Sequence, residues 1–554
     1  MTMSPKFSRV SPDQWVTADR TVRNPQALER CTSEVVAAAI SHLDGAEVVS
    51  VTVNTTGRFQ PPQLAMPGFP PLPEITDLPD YCDIRIRQAG PGGHVAEVIV
   101  WLPLDWNGRF LGCAGGGNRT EPGWVNPFPV PNRISTIPTA VRNGFAAAGT
   151  DAGNRDPRPI DWGLDPETRD LDWDLIENWV HRSTHEMTII GKAVTEAVYG
   201  EPPQYSYFQG GSGGGRQAMM QAQRYPQDYD GIWAVDPALN WSRFIVAEIW
   251  PVLVMKEENN PLAPAKLEAF REAVLESVGR DGDHFLPDVA VPDWDPYSIV
   301  GTPTDAGAIT ESDARVMRKI WDGPRRSSGE QLWYGLRPGT QCWGEPVGAG
   351  AGLAGSVDVD GQVQPVPFFV AQGYLGGWVA REPDWDWTTL TYGDFEQLFD
   401  RSVAEFAALD TDSPDLSALR DAGAKVLLSH GLADELIFPE GTLHYYQRVL
   451  EAMGGQENTD RFLRLFLSPG DGHGAPSDGP GLTLAGGMAA LMNWVEHDTA
   501  PDSILGEHYD PTGVLLGTRP LFPYPAQSRY IGHGDRTDPA SYIRITPETA
   551  ARPR

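Results

Sequence analysis

The pentapeptide Gly210-Gly211-Ser212-Gly213-Gly214 constrains this chain more than any other stretch. It follows Tyr205-Ser206-Tyr207-Phe208, which reads as a strand, and precedes Arg216 to Arg224, which reads as a helix. A G-x-S-x-G in that setting is the pattern of a nucleophile elbow. The reason is steric. The serine occupies a sharp, strained turn, and glycine at each end lets strand and helix pack closely. The same turn aims the backbone N–H of Gly213 at the oxygen of an acyl group carried by Ser212. Glycine-rich turns without chemistry share the motif, so it is the placement that gives it weight.

A serine hydroxyl needs a base, and the base needs an orienting carboxylate. On α/β-hydrolase folds the chain order is serine, acid, histidine. Asp434 follows the buried run Lys425-Val426-Leu427-Leu428-Ser429, in a loop where the acid belongs. His473 follows Arg461 to Leu467, again in a loop directly after a strand. All three loops fall at carboxyl ends of strands, where parallel sheets place ligands. Glu435 and Asp471 are the alternatives to Asp434. His430 reads as structural or supporting, His444 as part of a helix, and His533 as near the tail. Glycines Gly115-Gly116-Gly117 after Phe110-Leu111 are placed to supply the second oxyanion donor, with Gly117 preferred over Gly116.

Strands alternate with helices over much of the chain, which predicts an α/β fold with parallel βαβ units. Cys82 to Arg87 alternates, and His94 to Leu102 reads as its partner strand across Gly90-Pro91-Gly92-Gly93. Residues 240–412 read differently, with irregular helices and nine of the 18 tryptophans. We expect a lid there. The predicted layout is a hydrolase domain of 1–239 and 413–554, in which 1–80 is an N-terminal extension, and a lid domain of 240–412. Lid aromatics Trp378, Trp385 and Trp387 are candidates to stack on an aromatic acyl group. Most of the tryptophans are expected to be ordinary core.

A chain of 554 residues is too long for one hydrophobic core. Its net charge of −31 repels phosphate backbones and anionic lipid, so neither nucleic acid nor a membrane surface is an expected partner. No run approaches the ~20 apolar residues of a membrane span. Four cysteines without a CxxC give neither a disulfide scaffold nor a zinc site. Met1 to Pro12 shows no apolar core flanked by positive charge, which fits a cytoplasmic protein or a secreted one whose leader has been removed.

Taken in order, several motifs resemble the tannase and feruloyl esterase family, which includes the mono(2-hydroxyethyl) terephthalate hydrolases. They are Asp105-Trp106-Asn107-Gly108-Arg109-Phe110-Leu111, Thr150-Asp151-Ala152-Gly153, His185-Glu186-Met187-Thr188, Tyr207 to Gln217 with Ala222 to Pro226, Asp384 to Trp387, and Arg519 to Pro525. The resemblance implies an α/β-hydrolase core with a large inserted lid, and a serine esterase acting on galloyl, feruloyl or terephthaloyl esters through an acyl-enzyme. Ser212, Asp434 and His473 match its triad, and Gly213 with the glycine loop its oxyanion hole. It also implies a disulfide between Cys31 and Cys82.

Three departures stand out. The family's cysteines beside the serine and the histidine are Gly211 and Gly474 here, and its C-terminal cysteine is Phe522. Packing or hydrogen bonds must then hold the His473 loop. Cys113 and Cys342 have no partner from the resemblance. The family's lid calcium loop survives only as Asp281 and Asp283, with Val274 and Ser277 at earlier acidic positions. Calcium takes six to eight oxygens, so no cofactor is expected to be required. A thioesterase, lactonase or C–C hydrolase would use the same triad, and a binding protein on an inactive hydrolase fold would not need it.

Overall fold

The computed structural model describes residues 22–62, 71–120, 123–124, 133–154, 161–278, 283–287, 289–291, 293–344, 351–382, 384–473 and 478–546. Nine strands form the main sheet: β1 (Ala46–Asn54), β2 (Tyr81–Ala89), β3 (Val95–Pro103), β4 (Arg109–Cys113), β5 (Ala146–Thr150), β6 (Tyr205–Gly211), β7 (Gly231–Val235), β8 (Lys425–Gly431) and β9 (Leu463–Ser468). Their spatial order is β9-β8-β7-β6-β4-β5-β3-β2-β1. From β9 to β5 all neighbours are parallel, while β3, β2 and β1 are joined antiparallel. The carboxyl ends of β6, β7, β8 and β9 therefore share one edge, and the functional loops lie there.

Alternating residues on these strands build two separate cores. Phe110, Phe208, Ile232, Val426 and Leu465 face one side, against helices α1 (Ser33–Ile40), α2 (Ser183–Tyr199) and α3 (Gly213–Arg224). Leu111, Tyr207, Trp233, Leu427 and Phe466 face the other, against the helix Leu484–His497. Arg109 is fixed by the buried Glu496 of that helix, through Nε at 2.6 Å and Nη2 at 2.7 Å, and Tyr207 donates to the same carboxylate. The Asp105–Leu111 and Tyr207–Phe208 motifs thus meet in one buried ion pair.

The segment expected to be an N-terminal extension is woven into the sheet instead. β1 supplies its outer strand, and Val36 and Ile40 of α1 belong to the core under it. Cys31 and Cys82 are joined by a disulfide that ties this segment to β2. The helical run expected over 27–43 is also split, because Thr32 breaks it and caps α1 by accepting from the Val35 N–H.

Residues 240–412 leave after β7 and return before β8, which are neighbours in the sheet. The two ends are pinned together. Thr411 N–H donates to Leu239 O at 2.7 Å, and Asn240 Nδ2 donates to Asp412 at 2.8 Å. The apolar core of the insertion, which includes Phe270, Met317, Leu375 and Phe399, is continuous with Trp162, Trp179, Met220 and Phe438 outside it. Trp241 and Trp378 from the insertion pack edge-to-face on Trp179 at 5.0 and 5.9 Å, and Trp378 also on Trp162 at 5.1 Å. The Arg216 guanidinium lies 3.9 Å over the other partner, Trp179. Trp378 is 2% exposed, so its faces are spent on holding insertion and sheet together. That corrects its expected role as a substrate platform.

Closing a loop between positions 51 residues apart restricts the unfolded chain. Replacing Cys31 and Cys82 together by serine is expected to lower stability by about 2–4 kcal/mol, read as a lower urea midpoint. An unchanged midpoint would show that the bridge contributes nothing.

Candidate active site

Ser212 sits between β6 and α3 with φ 60° and ψ −125°, a left-handed strained conformation for a residue with a side chain. The turn closes because its neighbours lack side chains. A Cβ on Gly210 would meet Gly214 O at 2.6 Å, and one on Gly215 would meet Val235 O at 2.7 Å. A Cβ on Gly213 would strike the carbonyl of Gly117, with Gly117 N only 3.0 Å away. The amide of Gly117 is thus a neighbour of Gly213 at the start of α3. Gly116 and Gly117 both turn their Cα hydrogens to open space, and Gly117 has φ 59°.

The structure brings Ser212, His473 and Asp434 into one chain of hydrogen bonds. His473 Nε2 lies 2.9 Å from Ser212 Oγ, and His473 Nδ1 lies 2.8 Å from Asp434 Oδ2. A carboxylate only accepts, so Nδ1 carries a proton, and in the neutral imidazole Nε2 offers its lone pair to the serine. Asp434 is held by its own turn, since the N–H groups of Leu436 and Ile437 donate to Oδ1 at 2.9 and 2.7 Å. His430, fully buried, donates through Nε2 to Asp434 Oδ2 at 3.1 Å, and its Nδ1 meets Thr442 Oγ1 at 2.8 Å. The supporting role read for His430 is therefore this bond to the acid. Glu435 does not replace Asp434, since its Oε2 accepts the backbone N–H of His473 at 2.8 Å. His444 is on a helix near the surface, against the Tyr334 hydroxyl.

Two residues that sequence reasoning missed complete the site. Arg133 Nη1 lies 2.6 Å from Asp471 and 3.2 Å from Asp236. Asp236 Oδ1 accepts the Gly431 N–H at 2.8 Å. Asp236 had a signal that could have found it, because it follows β7 as the other site loops follow their strands. Arg133 had none, since its loop carries no periodicity. A narrow recess beside Ser212 is lined by Arg133, Ile134, Gly211, Val235, Asp236 and His473. None of Trp378, Trp385 or Trp387 lines it. A larger cleft of about 810 Å³, bordered by Trp333, Tyr334 and Arg448, contains no triad residue.

Burial disfavours the His473 imidazolium, but Asp434, Asp236 and Glu435 outweigh it and raise its pKa to about 9. Burial likewise opposes an ionised Asp434, yet His473 and His430 hold its carboxyl well below the usual range. The cluster Asp236, Asp434 and His473 has ligand atoms within 4.8 Å of one another. The Arg133 guanidinium already occupies the Asp236 side of this cluster, and His473 and His430 the Asp434 side, so its donors suit protons rather than a metal ion. Asp283, expected as a remnant of a calcium loop, is shared by Arg519 at 2.9 Å and Arg536 at 3.0 Å. Asp281 and Gly474 lie outside the described residues. Cys113 and Cys342 are buried free thiols.

The profile of the family described as tannase and feruloyl esterase matches residues 85–545. The chain belongs to this family, and so to the carboxylic ester hydrolases. A probable feruloyl esterase of Arthroderma benhamiae is 37% identical over 515 residues, covering 90% of this chain and 91% of the relative. Among solved structures, tannin acyl hydrolase from Aspergillus niger superposes with a TM-score of 0.78 at 22% identity, over 95% of this chain and 97% of that one. Feruloyl esterase B from Aspergillus oryzae gives 0.73 at 22% identity, over 93% and 100%. At those identities the structures show a shared fold.

A histidine takes a serine proton only in its neutral form, and for His473 that fraction grows as pH rises toward the raised pKa. The rate at which a fluorophosphonate labels Ser212 is therefore expected to climb with pH through an inflection near 9, above the ordinary 6.5. An inflection at or below 6.5 would show that the surrounding carboxylates do not act on His473.

Proposed function

We propose that the protein is a serine esterase that cleaves esters of aromatic acids, of feruloyl, galloyl or terephthaloyl type, through an acyl-enzyme. The observation that carries this reading is the ordered relay from Ser212 Oγ through His473 to Asp434 at the carboxyl ends of three strands. The aromatic acyl group is supported by the name of the relative that is 37% identical over nine-tenths of the chain.

The chemistry follows from the hydrogen bonds. Ser212 Oγ attacks the ester carbonyl carbon while its proton passes to His473 Nε2. The new oxyanion accepts from the Gly213 N–H and from Gly117 or Gly116 in the glycine loop. The positive charge on the imidazole is met by Asp434, which stays ionised. His473 Nε2–H then protonates the leaving oxygen, the C–O bond breaks, and the alcohol departs. Water enters, gives a proton to His473 and its oxygen to the acyl carbon, and Ser212 leaves with the proton returned. The insertion between β7 and β8 would shape the acyl pocket.

Ser212→Ala is expected to lower kcat on methyl ferulate or methyl gallate by roughly 10⁴-fold or more, with circular dichroism unchanged. Retained turnover in this variant would overturn the nucleophile assignment. A panel of feruloyl, galloyl and terephthaloyl esters beside acyl thioesters and lactones tests the substrate class. Turnover of thioesters or lactones without any of the aromatic esters would overturn that part.

A further inference from the structure

The catalytic histidine sits at the end of a loop, and a loop by itself does not hold an imidazole to a fraction of an ångström. Arg133 grips three successive residues of that loop. Its Nη1 pairs with Asp471 at 2.6 Å, and its Nη2 donates to the carbonyls of Gly472 at 2.7 Å and His473 at 3.1 Å. The same Nη1 reaches Asp236 at 3.2 Å, at the end of β7. Arg133 is 8% exposed, so these bonds form away from competing water.

The grip is itself anchored to the nucleophile's strand. Gln209, three residues before Ser212 on β6, is fully buried. Its Nε2 donates to the Arg133 carbonyl at 2.8 Å, and its Oε1 accepts the Ser135 N–H at 2.7 Å. The side chain between them is seated too. Two carbons of Ile134 lie 3.2 Å from where a Cβ on Gly211 would stand, so Ile134 fills the space beside the elbow. A continuous path thus runs from β6 through Gln209 and Arg133 to the backbone of His473. On the far side of the loop Glu435 holds the His473 N–H.

We propose that Arg133 is the positioning residue of this esterase, fixing His473 to the strand that carries Ser212. A guanidinium suits the task because its fork reaches two carboxylates and two carbonyls at once, which an ammonium cannot do. It also places a positive charge beside Asp236, Asp434, Glu435 and Asp471, the acidic groups that face His473 together with His430 on the neighbouring loop.

This inference rests on the reading of His473 as the base for Ser212, so Ser212→Ala runs alongside as a control. Two variants separate grip from charge. Arg133→Lys keeps the charge and loses most of the grip. It is expected to lower kcat roughly 10²-fold, with KM within about twofold and the acid limb of kcat/KM unmoved. Arg133→Gln removes the charge, leaves the carboxylates less balanced, and is expected to move that limb to higher pH. Adding Asp471→Asn to Arg133→Gln should bring it back toward the wild-type position. Thermal melts establish that each variant is folded, and if Arg133→Gln is not, Arg133→Lys decides. A folded Arg133→Lys with wild-type kcat overturns the proposal. So does a folded Arg133→Gln whose acid limb stays in place. Activity surviving in Ser212→Ala would instead overturn the nucleophile reading itself.

Discussion

The site depends on keeping four carboxylates buried around one imidazole. Asp236, Asp434, Glu435 and Asp471 are each no more than 4% exposed. A buried unpaired carboxylate costs several kcal/mol and escapes by taking up a proton. Here the donors are built in. Arg133 spans Asp236 and Asp471, His430 and His473 share one oxygen of Asp434, and Glu435 takes a backbone N–H. The resulting negative field favours the imidazolium form of His473. Stabilising that ion within a fixed set of dipoles is how such a site lowers a barrier without reorganising at the moment of reaction.

What could be read beforehand was whatever depends on short-range pattern. The G-x-S-x-G motif needs only the strand before it and the helix after it. Asp434 and His473 need only the rule that loops at the carboxyl ends of parallel strands carry chemistry. Strands β2, β3, β6, β8 and β9 were recognisable by alternation or by short buried runs, whereas β7 was not read. Pairings between distant segments were not recognisable. Arg133 meets Asp471 across 338 positions of chain, and no local pattern encodes such a contact. The N-terminal segment misled for a related reason. Strand β1 is a sheet edge, half solvated, and its pairing with β2 carries a bulge between Val48 and Ser50 that blurs the alternation.

The tryptophans of the insertion show why composition alone overreaches. Their density invited an aromatic pocket, yet Trp241, Trp250, Trp333 and Trp378 are all buried. Trp241 and Trp378, packed edge-to-face on Trp179 and Trp162 at about 5–6 Å, give a large apolar area with fixed geometry. An insertion of this length must hold itself together and also stay registered on the sheet. The cluster around Trp179 and Arg216 does the second, and it begins four residues after Ser212 on α3.

The family carries cysteines beside the serine and the histidine, and Gly211 rules out a covalent tie between those loops in this chain. The replacement is local. Ile134 takes the volume beside position 211, and Arg133, carried by Gln209 of β6, takes over the tether. A tether made of charge differs from one made of sulfur in a way that matters for chemistry. It fixes the loop and also alters the electrostatics of the imidazole it holds, so in this chain position and basicity of the catalytic base are set by the same side chain.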